Sequence, residues 1–216
     1  MDAFDNGLAL GADGLELDVH LSRDGAVVVH HDRTLDRTTA LRGPIADRTA
    51  DELRRAAVPA LAEVLARHRE PRVIIELKVN SEALAGAAVD VVRRASAVDR
   101  VCFGSFGWRV LRAVRALEPA VATSASREEV RLALYRSWCR WPVARVGYSG
   151  YQVPEISGRT RVVSPRFVKD AHGAGLAVQV WTVDTEETAR RLLDCSVDAL
   201  ITDRPDIIVP FVRAYP

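Results

Sequence analysis

Short runs of aliphatic and β-branched residues alternate with longer helix-like stretches along this chain. That alternation admits few architectures other than repeated βα units around a parallel sheet. Seven strand candidates stand out: Gly14 to Val19, Val73 to Leu77, Val101 to Gly104, Ala120 to Ser124, about Val146 to Val153, Val178 to Val183, and Ala199 to Thr202. Helix starts between them carry their own signals. Thr49 with Glu52 and Ser126 with Glu129 fit the capping box, and Ser164 before Pro165 fits an N-cap followed by a first-turn proline. A further extended run, Ala26 to His30, follows the turn Arg23-Asp24-Gly25 and predicts a hairpin arm after the first strand. Seven parallel strands suit an open doubly wound sheet, or a (β/α)8 barrel with one strand unaccounted for. No G-x-G-x-x-G follows a strand and no G-x-x-x-x-G-K-[ST] occurs, so nucleotide-binding folds lose their main support. With 216 residues, 48% of them hydrophobic, a single domain over 1–216 is expected.

Charge and cysteine usage narrow the partners. A net charge of +1 gives no electrostatic reason to expect nucleic acid or an anionic membrane as the main partner. Cys102, Cys139 and Cys195 are widely spaced and form no C-x-x-C pair, which suggests neither a disulfide framework nor a zinc knuckle. No apolar run approaches the roughly 20 residues of a membrane span, and the first residues lack the pattern of a signal peptide. The expectation is a soluble, cytoplasmic chain with no integral membrane segment. Its oligomeric state is not legible.

The chemistry concentrates on two strands. In Gly14-Leu15-Glu16-Leu17-Asp18-Val19, period-two alternation puts Leu15, Leu17 and Val19 on one face and Glu16 and Asp18 on the other. In Val73-Ile74-Ile75-Glu76-Leu77-Lys78 the same rule turns Glu76 and Lys78 away from Val73, Ile75 and Leu77. Three ionised carboxylates converging on one interior repel one another and cost several kcal/mol each to desolvate unless a cation neutralises them. An all-oxygen donor set from Glu16, Asp18 and Glu76 favours Mg²⁺ or Ca²⁺ over Zn²⁺. The competing reading makes these three surface residues or partners of arginines.

His30 and His31 close the hairpin arm, and a histidine beside such a site can move protons near neutral pH. One of the pair is expected to face the site, with His31 the candidate. His20 shares the parity of Glu16 and Asp18 but falls beyond the expected strand, and His68 and His172 read as ordinary helix residues. Only Lys78 and Lys169 among the 30 basic residues are lysines. Lys78 could hold a phosphate oxygen as a point charge, or simply balance Glu76. Trp181 shares a face with Gln179, which allows either an aromatic wall over a substrate or core packing.

Gly11-Ala12-Asp13-Gly14 leading into Leu15-Glu16-Leu17-Asp18-Val19, then Ser22-Arg23-Asp24-Gly25 and Val29-His30-His31-Asp32, resembles the opening of glycerophosphodiester phosphodiesterases. The likeness continues through Leu35 with Arg37-Thr38-Thr39, Val58-Pro59-Ala60-Leu61, Glu76-Leu77-Lys78, Ser105-Phe106, Ala171-His172, Trp181-Thr182-Val183 and Ile201-Thr202-Asp203. It implies a (β/α)8 TIM barrel of the phospholipase C-like phosphodiesterase type. It also implies divalent-metal-dependent hydrolysis of a small-molecule glycerophosphodiester to an alcohol and glycerol 3-phosphate. Carried over residue by residue, Glu16, Asp18 and Glu76 correspond to metal ligands, His31 to an acid/base histidine and Lys78 to a phosphate contact.

One departure matters. Members of that family begin with a strand ending in His-Arg-Gly and then a Glu-Asn-Thr, and neither motif is present here. The resemblance therefore predicts a barrel lacking its first strand, one histidine and one acidic residue of the site. A catalytically impaired remnant that still binds metal and phosphate is the alternative to an active hydrolase. A sphingomyelinase D-like phospholipase is a further alternative, which the cysteine pattern does not favour.

Overall fold

A computed structural model describes residues 1–141 and 146–216. In chain order its elements begin with α1 (Asp2–Ala9), β1 (Gly14–Leu21), β2 (Val27–Val29), α2 (Ala50–Arg55), α3 (Leu61–Arg67), β3 (Arg72–Leu77), α4 (Glu82–Arg94), β4 (Val101–Gly104), α5 (Trp108–Leu117) and β5 (Ala122–Thr123). There follow α6 (Arg127–Trp138), β6 (Gly150–Pro154), β7 (Ile156–Ser157), β8 (Thr160–Arg161), α7 (Pro165–Gly173), β9 (Ala177–Trp181), α8 (Glu186–Asp194), β10 (Ala199–Leu200) and α9 (Pro205–Ala214). Each expected strand has a counterpart among the described residues. The sixth begins at Gly150 rather than near Val146, because 147–149 form bends. The hairpin β7–β8 was not expected. It turns at Gly158, whose φ of 60° is a backbone conformation glycine adopts without penalty.

The chain divides into two compact units. The first comprises Met1 and Gly14–Thr123, the second Asp2–Asp13 and Ser124–Pro216. In the first, a five-stranded sheet runs in the order β2-β1-β3-β4-β5, parallel except for the antiparallel arm β2. Leu15, Leu17 and Val19 of β1 and Val73, Ile75 and Leu77 of β3 are buried, as the alternation predicts. Leu61, Val64 and Leu65 of α3, Leu84, Ala88 and Val92 of α4, and Val110, Leu111 and Val114 of α5 are buried too. Each large aliphatic side chain so buried contributes about 1.5–3 kcal/mol against leaving it in water. Both predicted capping boxes form: in the first unit, Glu52 accepts from the Thr49 amide at 2.8 Å while Thr49 caps Glu52.

Between β2 and α3 the chain makes a long excursion with a small core of its own, built from Val28, Leu35, Ile45, Leu53 and Val58. Backbone bonds from Leu35 to Gly43 and from Ile45 to Arg33 tie its two limbs together. Burying Leu35 and Ile45 in this way fixes the polar segment of residues 30–38, which therefore has a defined shape without strand or helix.

In the second unit, β10-β9-β6 form a parallel sheet whose core includes Tyr151, Val153, Val178 and Val180, covered by Phe167 and Val168 of α7 and Ala189 and Leu192 of α8. The second capping box, Ser126 with Glu129, starts α6, and the Ser164 hydroxyl caps α7 at the Phe167 amide. Among the described residues no helix is long and apolar enough to cross a membrane.

Candidate active site

Strand register decides which polar groups of the first unit can meet. In the parallel pairing of β1 with β3, Asp18 lies beside Glu76, and Glu76 in turn lies beside Gly104 of β4. Side chains directly opposite in a ladder share a face, about 4.8 Å apart. The His30 amide donates to the Asp18 carbonyl at 2.9 Å, so the hairpin arm reaches the same row from the other side. Glu16 occupies the previous row, beside Ile74 and Cys102. Two residues along a strand is roughly 6.6 Å, so Glu16 faces the same interior from a different level. Among the described residues no three His, Cys, Asp or Glu side chains stand close enough to hold a metal ion as placed. The strands set Asp18 and Glu76 side by side and Glu16 one row before them on the same face.

Lys78 follows Glu76 by two residues, and its ammonium sits 2.8 Å from Asp18 Oδ1. The charge-balancing role expected opposite Glu76 therefore falls chiefly on Asp18. Burial, with the Asp18 charge adding to it, pushes the Glu76 carboxyl up to about 7, although Lys78 and the Phe106 amide pull in the opposite direction. A buried acid held so far above its ordinary value marks a place short of positive charge. An all-oxygen pair in that state fits a hard divalent cation, which would lower the cost of ionising Glu76.

His31 is presented on the loop that the small core fixes. Its Nδ1 is 2.7 Å from Asp32 Oδ1, and Arg37 Nε donates to the other oxygen of that carboxylate at 2.6 Å. Arg37 first and His31 second hold the Asp32 carboxyl well below the usual range, so it stays ionised and keeps accepting. With Nδ1–H committed to Asp32, Nε2 is the ring atom left to take or give a proton. His30 is spent on the loop itself: Nδ1–H donates to the Asp32 carbonyl at 2.9 Å, and Nε2 accepts from the Thr38 hydroxyl at 2.8 Å. His20 departs from expectation. Pairing with β2 carries β1 on to Leu21, so His20 lies inside the strand, buried, with its Nε2 3.4 Å from the His31 carbonyl. Burial lowers its pKa, leaving a neutral ring that steadies the backbone of its neighbour.

The other two histidines lie at helix ends, His172 within the last turn of α7 as expected and His68 just past α3. His68 is the buried C-cap of α3, and His172 bonds the Asp198 carboxylate at 2.9 Å. Trp181 belongs to the second unit, at the end of β9 and in register with Pro154. Sequence reasoning missed the Asp32–Arg37 bond and the Phe106 amide. The only trace of the first was a polar Asp-x4-Arg spacing with no periodic element beneath it.

Comparison with known proteins gives a consistent answer. The sequence profile of the Glycerophosphoryl diester phosphodiesterase family matches residues 1–207. A Mycobacterium tuberculosis protein named "Probable glycerophosphodiester phosphodiesterase 2" is 33% identical over 227 residues, covering 96% of this chain and 82% of that protein. The crystal structure of a glycerophosphodiester phosphodiesterase from Agrobacterium tumefaciens superposes with a TM-score of 0.77 at 27% identity, covering 95% of this chain and 90% of the other. An Oleispira antarctica phosphodiesterase solved with the product sn-glycerol-3-phosphate shares the fold, with a TM-score of 0.77 at 24% identity and coverage of 98% and 89%. The chain belongs to the glycerophosphoryl diester phosphodiesterase family, phosphoric diester hydrolases built on the (β/α)8 TIM-barrel fold.

Proposed function

We propose that this chain hydrolyses glycerophosphodiesters to an alcohol and glycerol 3-phosphate, with Glu16, Asp18 and Glu76 supplying oxygen ligands to Mg²⁺ or Ca²⁺. The observation that carries this is the Asp18–Glu76 row, a carboxylate pair short of positive charge beside the loop that presents His31. A bound divalent cation would supply Lewis acidity to a non-bridging phosphate oxygen. The residues do the rest. Asp18 and Glu76 fix the position of the phosphate's counter-charge, and the Lys78 ammonium, with three donors, can keep Asp18 and still reach a phosphate oxygen. His31 Nε2 moves the proton, and Asp32 with Arg37 holds the ring through Nδ1. The family profile runs through both compact units, which supports reading 1–216 as one domain.

The second reading, a remnant that binds metal and phosphate without turnover, is favoured by two observations. Lys78 already neutralises Asp18, and Glu16 lies off the Asp18–Glu76 row. Hydrolysis of glycerophosphocholine with and without EDTA separates the two. Metal-dependent release of choline that His31→Ala abolishes supports the hydrolase. Metal binding by calorimetry without release supports the remnant.

A further inference from the structure

Four of the most exposed large apolar side chains lie within ten residues of one another, on α6 and just beyond its end. Leu132 is 50% exposed, Tyr135 62%, Trp138 54% and Trp141 66%. The opposite side of the same helix buries Ala133, Leu134 and Ser137, so the helix is already anchored and its outward face is surplus to the core. Spacings of three and four residues put Arg127, Arg131, Tyr135 and Trp138 along one stripe, with Leu132 beside it. The Tyr135 and Trp138 rings meet edge to face at 5.6 Å, which presents them as one rigid aromatic surface.

The charges on this segment differ from those of the whole chain. Residues 127–141 carry Arg127, Arg131, Arg136 and Arg140 against Glu128 and Glu129, a net +2 where the entire protein has +1. The Glu129 carboxyl is occupied by its capping box, accepting from the Ser126 amide at 2.7 Å. Tryptophan and tyrosine with neighbouring arginines are the side chains that settle at the boundary between headgroups and acyl chains, where rings are half wetted and guanidinium groups meet phosphate. A two-fold pairing of this face with a second copy would bring two segments of net +2 together, which disfavours self-association.

We infer that the outward face of α6, through Tyr135, Trp138 and Trp141 with Arg127 and Arg131, docks the protein on anionic lipid surfaces. The inference stands apart from the catalytic reading, because none of these residues belongs to the site described above. It departs from the expectation that the net charge of +1 sets, because a whole-chain sum averages away a local patch.

The test is co-sedimentation of the full chain with vesicles of phosphatidylcholine alone and of phosphatidylcholine with phosphatidylglycerol in equal parts, at low and high salt. The tryptophan emission is followed in parallel. The expected result is binding to the anionic vesicles, weakened by salt, with a blue shift in emission. Trp138→Ala with Trp141→Ala should reduce partitioning at least tenfold, and Arg131→Gln by about fivefold on anionic vesicles only. Because these side chains are exposed, the variants should keep the parent's thermal midpoint, which reads the fold whether or not the chain turns over substrate. No binding to the mixed vesicles overturns the inference, as does binding unchanged in the double tryptophan variant. A concentration-dependent dimer that the double variant dissolves, without vesicle binding, also overturns it and assigns the face to a second copy.

Discussion

The pairs β1–β3 and β6–β9 are built alike and spent differently. Each is parallel, and each starts at a glycine whose missing Cβ would stand 2.7 Å (Gly14) or 2.5 Å (Gly150) from a neighbouring backbone oxygen. Each buries an aliphatic face, Leu15, Leu17, Val73 and Ile75 in one, Val153, Val178 and Val180 in the other. The opposite faces diverge. On β6–β9, Gln152 donates to Gln179 at 2.9 Å, and the next row holds Pro154 and Trp181, all uncharged. On β1–β3 the equivalent rows hold Glu16, Asp18 and Glu76, and the ladder leaves Glu76 titrating near 7. Neutral amides close their own hydrogen bonds, whereas adjacent carboxylates need something from outside. The first face is a support and the second a site.

Loss of activity should divide along that line. His31→Ala is expected to lower kcat for glycerophosphocholine by about 10² to 10⁴-fold, the usual worth of a positioned proton carrier. Gln179→Ala should lower it less than about tenfold, since it removes one neutral bond. Equal losses in the two variants, measured at saturating Mg²⁺ or Ca²⁺, would mean that both sheet faces serve the chemistry.

Stability should divide along the same line with the opposite sign. In EDTA, the folded chain holds the Glu76 proton up to about pH 7, whereas an unfolded glutamate releases it near 4.5. The folded state therefore binds more protons between those values, and its stability falls as pH rises through about 7. Glu76→Gln removes that dependence. At pH 8 it should stabilise the metal-free chain by up to about 3 kcal/mol, and near pH 4 by nothing, in urea unfolding. A variant less stable than its parent at pH 8 would mean that Glu76 is satisfied where it stands.

A smaller effect should come from the pair behind His31. Asp32→Asn and Arg37→Ala each free the ring to change tautomer or turn, with an expected loss of activity on the order of 10 to 100-fold. The loss should fall on kcat, because the ring is displaced while the substrate contacts stay. A raised KM with kcat unchanged would assign both residues to loop shape alone.

How far the sequence carried this reading follows from the range of the interactions involved. Period-two alternation placed Glu16, Asp18 and Glu76 opposite Leu15, Leu17 and Ile75, and caps at Thr49, Ser126 and Ser164 were correct because both signals are local. Register was not legible. Which row Glu16 shares, and that Lys78 meets Asp18 rather than Glu76, depends on how two strands align across more than fifty residues. The Asp32–Arg37 bond lies in a segment shaped by Leu35 and Ile45, whose burial no periodicity announces. His20 was misplaced because the hairpin arm prolongs β1 past the end its hydrophobic pattern suggests.

The smallest effects are expected on the second face, where the amides satisfy one another. Gln152 and Gln179 are each only partly buried, and each amide has donors and acceptors that water can reach. Replacing either one by leucine leaves its partner with one bond to remake, a cost of about 1 kcal/mol in chemical unfolding. Replacing both removes the pair's demand altogether, so the double variant should lose less than the two single losses summed, with a coupling of about 0.5–1 kcal/mol in a double-mutant cycle. The corresponding cycle for Asp18→Asn and Glu76→Gln in EDTA should show the reverse. Glu76→Gln alone relieves repulsion and Asp18→Asn alone lets Lys78 turn to Glu76, whereas the double change leaves the ammonium with neither carboxylate, so the double variant should lose more than the two single effects summed. Additive losses at Gln152 and Gln179 would mean that the amide bond contributes nothing as a pair, and that the valines beneath it alone hold the second sheet.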